Sequence, residues 1–190
     1  MIIVGVGAGP GMLTQEAIKA IGEANLIYGS KRSIDLVREH IKSDCAVKII
    51  EDYKRLHELP EGAVVLSTGD PMLSGLGYLK GRVVPGISSM QVACARLKIS
   101  QLDVIPITIH GREMNPVPVA EELRRGKCVF LLIDERTDIE RLCSYLESNG
   151  LSRNIAVLAN LGYPEERIML GRTSSPSAAS SLSCSCMMIF

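Results

Sequence analysis

The chain has 190 residues, 46% of them hydrophobic, enough for one large or two small domains that each bury a core. Its 21 Lys and Arg balance its 21 Asp and Glu, which argues against a nucleic-acid binder but leaves room for a local basic lining around an anionic ligand. The six cysteines, Cys45, Cys94, Cys128, Cys143, Cys184 and Cys186, show no CxxC spacing, so buried thiols in a reducing compartment are expected and a zinc site or disulfide scaffold is not.

The opening Met1-Ile2-Ile3-Val4 has no basic leader and its apolar run ends too early for a signal peptide or membrane span; the expectation is a cytoplasmic, soluble protein. Met1 to Val6 reads as a buried strand running into Gly7-Ala8-Gly9-Pro10-Gly11, then a helix over Thr14 to Glu23 with Ala17, Ile18 and Ile21 on one face. Residues without a Cβ let backbone approach a ligand, and N–H groups at a helix start favour partial negative charge such as a carboxylate. The spacing lacks the further glycine of a dinucleotide fingerprint, Pro10 removes an amide, and no Lys-Ser or Lys-Thr follows as in a P-loop. The run alone is therefore either a ligand loop or a tight strand-to-helix connection.

Strand Leu26 to Gly29, helix Lys31 to Ile41, and strands Ala46 to Ile50 and Ala63 to Ser67 follow. The last of these opens into the turn Thr68-Gly69-Asp70-Pro71, and the short strand Arg82 to Val84 opens into Pro85-Gly86-Ile87-Ser88-Ser89 and a helix over about Met90 to Arg96. This alternation predicts a mostly parallel sheet covered by helices, with functional loops at the carboxyl ends of its strands. The rhythm changes near Gln101. Strand Asp103 to Ile109, helix Val119 to Arg125, strand Cys128 to Ile133 and helix Asp138 to Asn149 precede three runs read as consecutive strands: Ile155 to Ala159, Arg167 to Leu170, and Ser183 to Ile189. Two domains are expected, residues 1–101 and 102–190, the second with a mixed sheet and a Ser-rich polar loop over Ser174 to Ser183.

Four blocks in this order, Val4-Gly5-Val6-Gly7-Ala8-Gly9-Pro10-Gly11 with Leu13-Thr14, Ser67-Thr68-Gly69-Asp70-Pro71, Pro85-Gly86-Ile87-Ser88-Ser89 and His110-Gly111-Arg112, resemble the tetrapyrrole (corrin/porphyrin) methylase family over nearly the whole chain. The stretch Asn160-Leu161-Gly162-Tyr163-Pro164-Glu165-Glu166-Arg167-Ile168 is similar to the family's second-domain loop. The resemblance implies two α/β domains, each a mixed or parallel sheet with helices, S-adenosylmethionine folded in the cleft between them, and a homodimer. It also implies methylation of carbon 5 of cobalt-precorrin-7 or a related anionic tetrapyrrole in cobalamin biosynthesis, with cobalt carried by the substrate and no metal bound by the protein. Rival readings are another tetrapyrrole position, a diphthamide precursor, or a non-catalytic partner of the decarboxylase that methylates carbon 15. The intact loops favour a stand-alone enzyme that hands intermediates to such a C15-methyltransferase partner.

By the same resemblance the cofactor meets Ala8, Asp70, Leu73, Ser88, Ser89 and Leu161. Asp70 offers its carboxylate to the cofactor's ammonium or to a loop amide, and its plain alternative is to cap the following helix; Ser88 and Ser89 have the same alternative. Pro10 and Gly11 shape the substrate side, and Lys31, Arg32 and Arg112 meet substrate carboxylates, with Arg124, Arg125 and Lys127 behind them. His110 and Glu113 are the titratable candidates for the proton lost after transfer, with bound water equally open. A buried structural hydrogen bond is the alternative for His110. His40 and His57 carry no motif and are expected at the surface.

Overall fold

The computed structural model describes residues 1–111, 113–176 and 186–190, and the chain divides into two compact units, Met1–Ser89 and Met90–Phe190. The division falls ahead of the boundary near Gln101 drawn from the sequence, because helix α4 (Ser89–Leu97) lies almost entirely in the second unit. Among the described residues no helix is long and apolar enough to cross a membrane.

The first unit holds β1 (Ile2–Gly5), α1 (Gln15–Gly22), β2 (Leu26–Gly29), α2 (Lys31–Val37), β3 (Ala46–Ile49), β4 (Val64–Ser67), α3 (Pro71–Ser74) and β5 (Arg82–Val84). Its five strands are all parallel in the order β3-β2-β4-β1-β5. Side chains alternate across this sheet. Val4, Val64, Leu66 and Val84 face α1 and α2 with Ala17, Ile21, Ile34 and Val37, whereas Ile3 and Val65 pack with Ile50, Leu56, Leu76 and Leu79 on the other face. Thr14 and Ser30 start α1 and α2 as caps, each accepting an N–H from three residues on. The second helix is shorter than its apolar pattern predicts: at Val37 the backbone leaves helical geometry and Arg38–His40 continues as a 3-10 turn. Another 3-10 segment, Tyr53–Glu58, covers the second face and has no clear periodic signature.

The second unit contains, after α4, β6 (Val104–Thr108), α5 (Val117–Arg124), β7 (Cys128–Leu132), α6 (Ile139–Ser148), β8 (Asn154–Ala159), β9 (Arg167–Arg172) and β10 (Cys186–Ile189). Its sheet runs β6-β7-β10-β8-β9; β6 and β7 are parallel and the other pairs antiparallel. The run ending at Ile189 is thus not the neighbour of the strand before it but a central strand between β7 and β8, with all four residues buried. Helices α5 and α6 bury Val119, Leu123, Leu142 and Leu146 against Val129, Leu131, Val157 and Met187. Cys94, Cys143 and Cys186 are buried, and burial pushes the Cys143 thiol up to about 11. Cys184 and most of the Ser-rich loop lie outside the described residues.

Candidate functional site

Strands β4, β1 and β5 are neighbours, so the three loops that leave their carboxyl ends share one edge of the first unit. The loops after β1 and β4 close on each other through a two-way bridge: Gly7 donates to the Gly69 carbonyl at 3.1 Å and Gly69 donates back at 2.8 Å. Only glycine permits the approach of the third. A Cβ on Gly86 would lie 2.3 Å from the Gly69 oxygen and 2.9 Å from Gly5 Cα, and one on Gly5 would lie 2.5 Å from the Gly86 nitrogen. Asp70 then fastens two loops at once. Its Oδ1 accepts from Met72 N at 2.8 Å and Leu73 N at 3.3 Å as the cap of α3, while Oδ2 accepts from Gly86 N at 2.9 Å. The capping role and the loop-amide role therefore occur together in one carboxylate.

Around this knot the wall is small or backbone. Ala8 is buried, Gly69 (φ +75°) and Gly11 (φ +73°) lack side chains, and a Cβ at Gly11 would meet open space. Pro10 is exposed beside it, Leu73 is half-buried in α3, Ser88 is buried and Ser89 is the first residue of α4. Lys31 and Arg32 open α2, at the carboxyl end of β2 and so on the same sheet edge. Both are exposed, and Lys31 lies 3.6 Å from Asp35. Met72 and Ile87, missed by motif reading, are large apolar side chains exposed on α3 and on the loop after β5. An apolar residue between turn residues was the only available signal for them. The residues of this edge are small or backbone, the loop after β5 carries Ser88 and Ser89, and both oxygens of Asp70 are engaged by backbone N–H groups.

In the second unit the parallel strands β6 and β7 also end side by side. His110, just past β6, is exposed, donates its N–H to Leu132 O at 3.1 Å and brings Nδ1 within 3.3 Å of Ile133 O. The next amide, Gly111 N, donates to Asp134 Oδ2 at 2.8 Å, and Arg136 Nη2 approaches the same oxygen at 3.0 Å. The Gly111 amide first, and the Arg136 guanidinium second, hold the Asp134 carboxyl well below the usual carboxylate range. Glu113 is exposed; Arg112 lies outside the described residues. Arg124 and Arg125, at the end of α5, serve Asn149 and Glu122, and Lys127 serves Leu102 O and Asp103.

Leu161, 5% exposed, sits in the turn after β8. Glu166 folds back onto that turn, accepting from Gly162 N at 2.7 Å and from Arg96 Nε at 2.6 Å. The Arg96 guanidinium, then the Gly162 amide, lower its carboxyl below the ordinary glutamate value. Asp134 and Glu166 escaped sequence reading because their partners lie 23 and 70 residues away or in an adjacent loop amide. A cleft of about 630 Å³ beside β3 is lined by Tyr28, Lys48, Arg55 and Glu58 among others and contains none of the expected site residues. Its cations are already matched, Arg55 to Glu58 at 2.6 Å and Lys48 over the Tyr28 ring at 5.7 Å.

Residues 2–176 match the tetrapyrrole (corrin/porphyrin) methylases. A probable cobalt-precorrin-7 C(5)-methyltransferase of Methanocaldococcus jannaschii is 35% identical over 185 residues, covering 87% of this chain and 86% of that one. A precorrin-6Y methylase of cobalamin biosynthesis from Archaeoglobus fulgidus superposes with a TM-score of 0.77 at 29% identity, over 100% of this chain and 96% of that one. The uroporphyrin-III C-methyltransferase of Thermus thermophilus, solved with S-adenosylhomocysteine, shares the fold at a TM-score of 0.74 and 18% identity, over 99% of this chain and 90% of that one. Two α/β units, the first with loops knotted by glycine at a parallel-sheet edge, are, with these matches, those of a methyltransferase. The chain belongs to the tetrapyrrole (corrin/porphyrin) methylases.

Proposed function

We propose that the chain methylates carbon 5 of cobalt-precorrin-7, or of its metal-free counterpart, with S-adenosylmethionine as donor, in cobalamin biosynthesis. The observation that carries this reading is the glycine-walled edge of the first unit, where a Cβ on Gly5 or Gly86 would lie within 3 Å of the facing loop backbone. The 35% identity to the M. jannaschii enzyme supports the choice of substrate within the family. The same reading takes the cytoplasm as its location, a homodimer as its assembly, and a C15-methyltransferase as the enzyme to which product passes.

S-adenosylmethionine, when bound, supplies an electrophilic methyl group on a sulfonium. The protein's share is orientation and exclusion of water, with no covalent enzyme intermediate. Ala8 and the bare backbone of the first loop admit the cofactor, Leu73 and Leu161 give it apolar contact, Ser88 and Ser89 offer hydroxyl and N–H groups, and Asp70 keeps the loops in register. Pro10 and Gly11 face the macrocycle; Lys31, Arg32 and Arg112 meet its acetate and propionate groups. A ring carbon methylated in this way would have to release a proton. His110 and Glu113, on the exposed loop after β6, are its proposed acceptors alongside bound water.

The test is anaerobic turnover of cobalt-precorrin-7 with methyl-labelled S-adenosylmethionine, followed by mass and NMR. Label at carbon 5 is the expected outcome. Cofactor binding without transfer overturns the substrate and retains the methyltransferase.

A further inference from the structure

We propose that Glu166 is a positioning residue for the Leu161 loop, setting the cofactor-facing backbone through the Gly162 amide; the proposal rests on the methyltransferase reading above. After β8 the chain reverses through Asn160 at φ +51° and Gly162 at φ +80°, with Leu161 buried between them. A turn built on two left-handed residues, one of them not glycine, holds its shape only where its surroundings over-determine it. Backbone bonds from Tyr163 N to Asn160 O at 2.9 Å and from Glu166 N to Tyr163 O at 3.0 Å close the reversal on itself. The side chain of Glu166 adds a tie across the turn. That carboxylate reaches back to Gly162 N at 2.7 Å with Oε2 and receives a two-pronged guanidinium, Arg96 Nε at 2.6 Å on Oε1 and Nη2 at 3.3 Å on Oε2.

Both carboxylate oxygens are thereby fixed, in a side chain only 19% exposed. Charge-assisted, two-point geometry is far more directional than a surface ion pair. Arg96 projects from α4, the helix whose first residue is Ser89, so the anchor is regular secondary structure. Glu166 acts through Leu161 and Gly162.

The test is calorimetric titration of the full chain with S-adenosylhomocysteine, alongside its ligand-free melting temperature. Glu166→Ala is expected to weaken binding on the order of tenfold, the scale of one charge-assisted hydrogen bond. Glu166→Gln keeps a carbonyl acceptor for the Gly162 amide and is expected to lose only about threefold. Arg55→Ala, which breaks a 2.6 Å ion pair with Glu58 on the Tyr53–Glu58 segment, is the control and leaves affinity unchanged. A merely structural Glu166 would lower the melting temperature without moving the affinity of folded protein, and that result overturns the proposal. If the alanine chain does not fold, Glu166→Gln decides alone: wild-type affinity overturns, a threefold loss supports. Failure of the wild type itself to bind S-adenosylhomocysteine overturns the cofactor reading and the proposal with it.

Discussion

The two units hold their site loops by opposite means. In the first, Gly5, Gly69 and Gly86 approach so closely that the loops interlock by the absence of side chains, and a single carboxylate, Asp70, ties off the knot. In the second, the turn at Gly111 stands apart from other backbone: a Cβ there would meet open space. There the loops are tethered from outside by Asp134 and Glu166, each stabilised by an arginine. Steric interlock is insensitive to pH and intolerant of one methyl group; ionic tethering tolerates volume and responds to acid.

The sharpest way to break this contrast is Gly86→Ala. The new methyl overlaps the Gly69 oxygen, a backbone atom that cannot step aside cheaply, and about 3 kcal/mol of stability should go in urea denaturation. Next comes Asp70→Ala, which strips the α3 cap and orphans the Gly86 amide. We expect about 2 kcal/mol, and a loss of cofactor affinity larger than that stability loss explains; unchanged affinity would take Asp70 out of the site.

The smallest effect, and the one that most sharpens the difference, is Asp134→Asn. Because the folded-state pKa of Asp134 is depressed, its stabilisation is present above the ordinary aspartate value near 4 and is lost as pH falls toward the folded value. The gap in urea midpoint between wild type and Asp134→Asn should therefore shrink from about pH 5 to about pH 2. A pH-independent gap would mean that the charge on Asp134 does not matter. The overlap that Gly86→Ala creates is steric, 2.3 Å from the Gly69 oxygen.

This contrast also explains what could be read from residue order. The first sheet was legible because Val4, Val64, Leu66 and Val84 sit in short apolar runs punctuated by Gly and Pro, and parallel strands separated by helices leave few topologies. The glycine blocks announced the first-unit loops for the same reason: close approach demands glycine, and glycine is visible. Ionic tethers demand only an Asp or Glu somewhere in the chain: nothing around Asp134 marks it from a surface carboxylate, and the family-like block that holds Glu166 does not set it apart from Glu165. The central position of β10 was equally hidden. Cys186 to Ile189 is apolar enough for an edge or a centre, and only its pairing with both Phe130 and Ala156 through Met188 decides between them. Met72 and Ile87 show the same limit, since exposure is not written in an apolar residue.

That β10 placement bears on how the protein is made. The five strands of the first sheet are complete once β5 has left the ribosome, before any strand of the second sheet. The second sheet lacks its keystone until the last described strand emerges, so β7 and β8 wait with bare pairing edges while β9 is already available to cover the far side of β8. Sheets left open in this way are exposed to wrong partners. The nascent chain thus passes through a stage with one finished unit and one split unit, and a pause in translation before Cys186 would lengthen it.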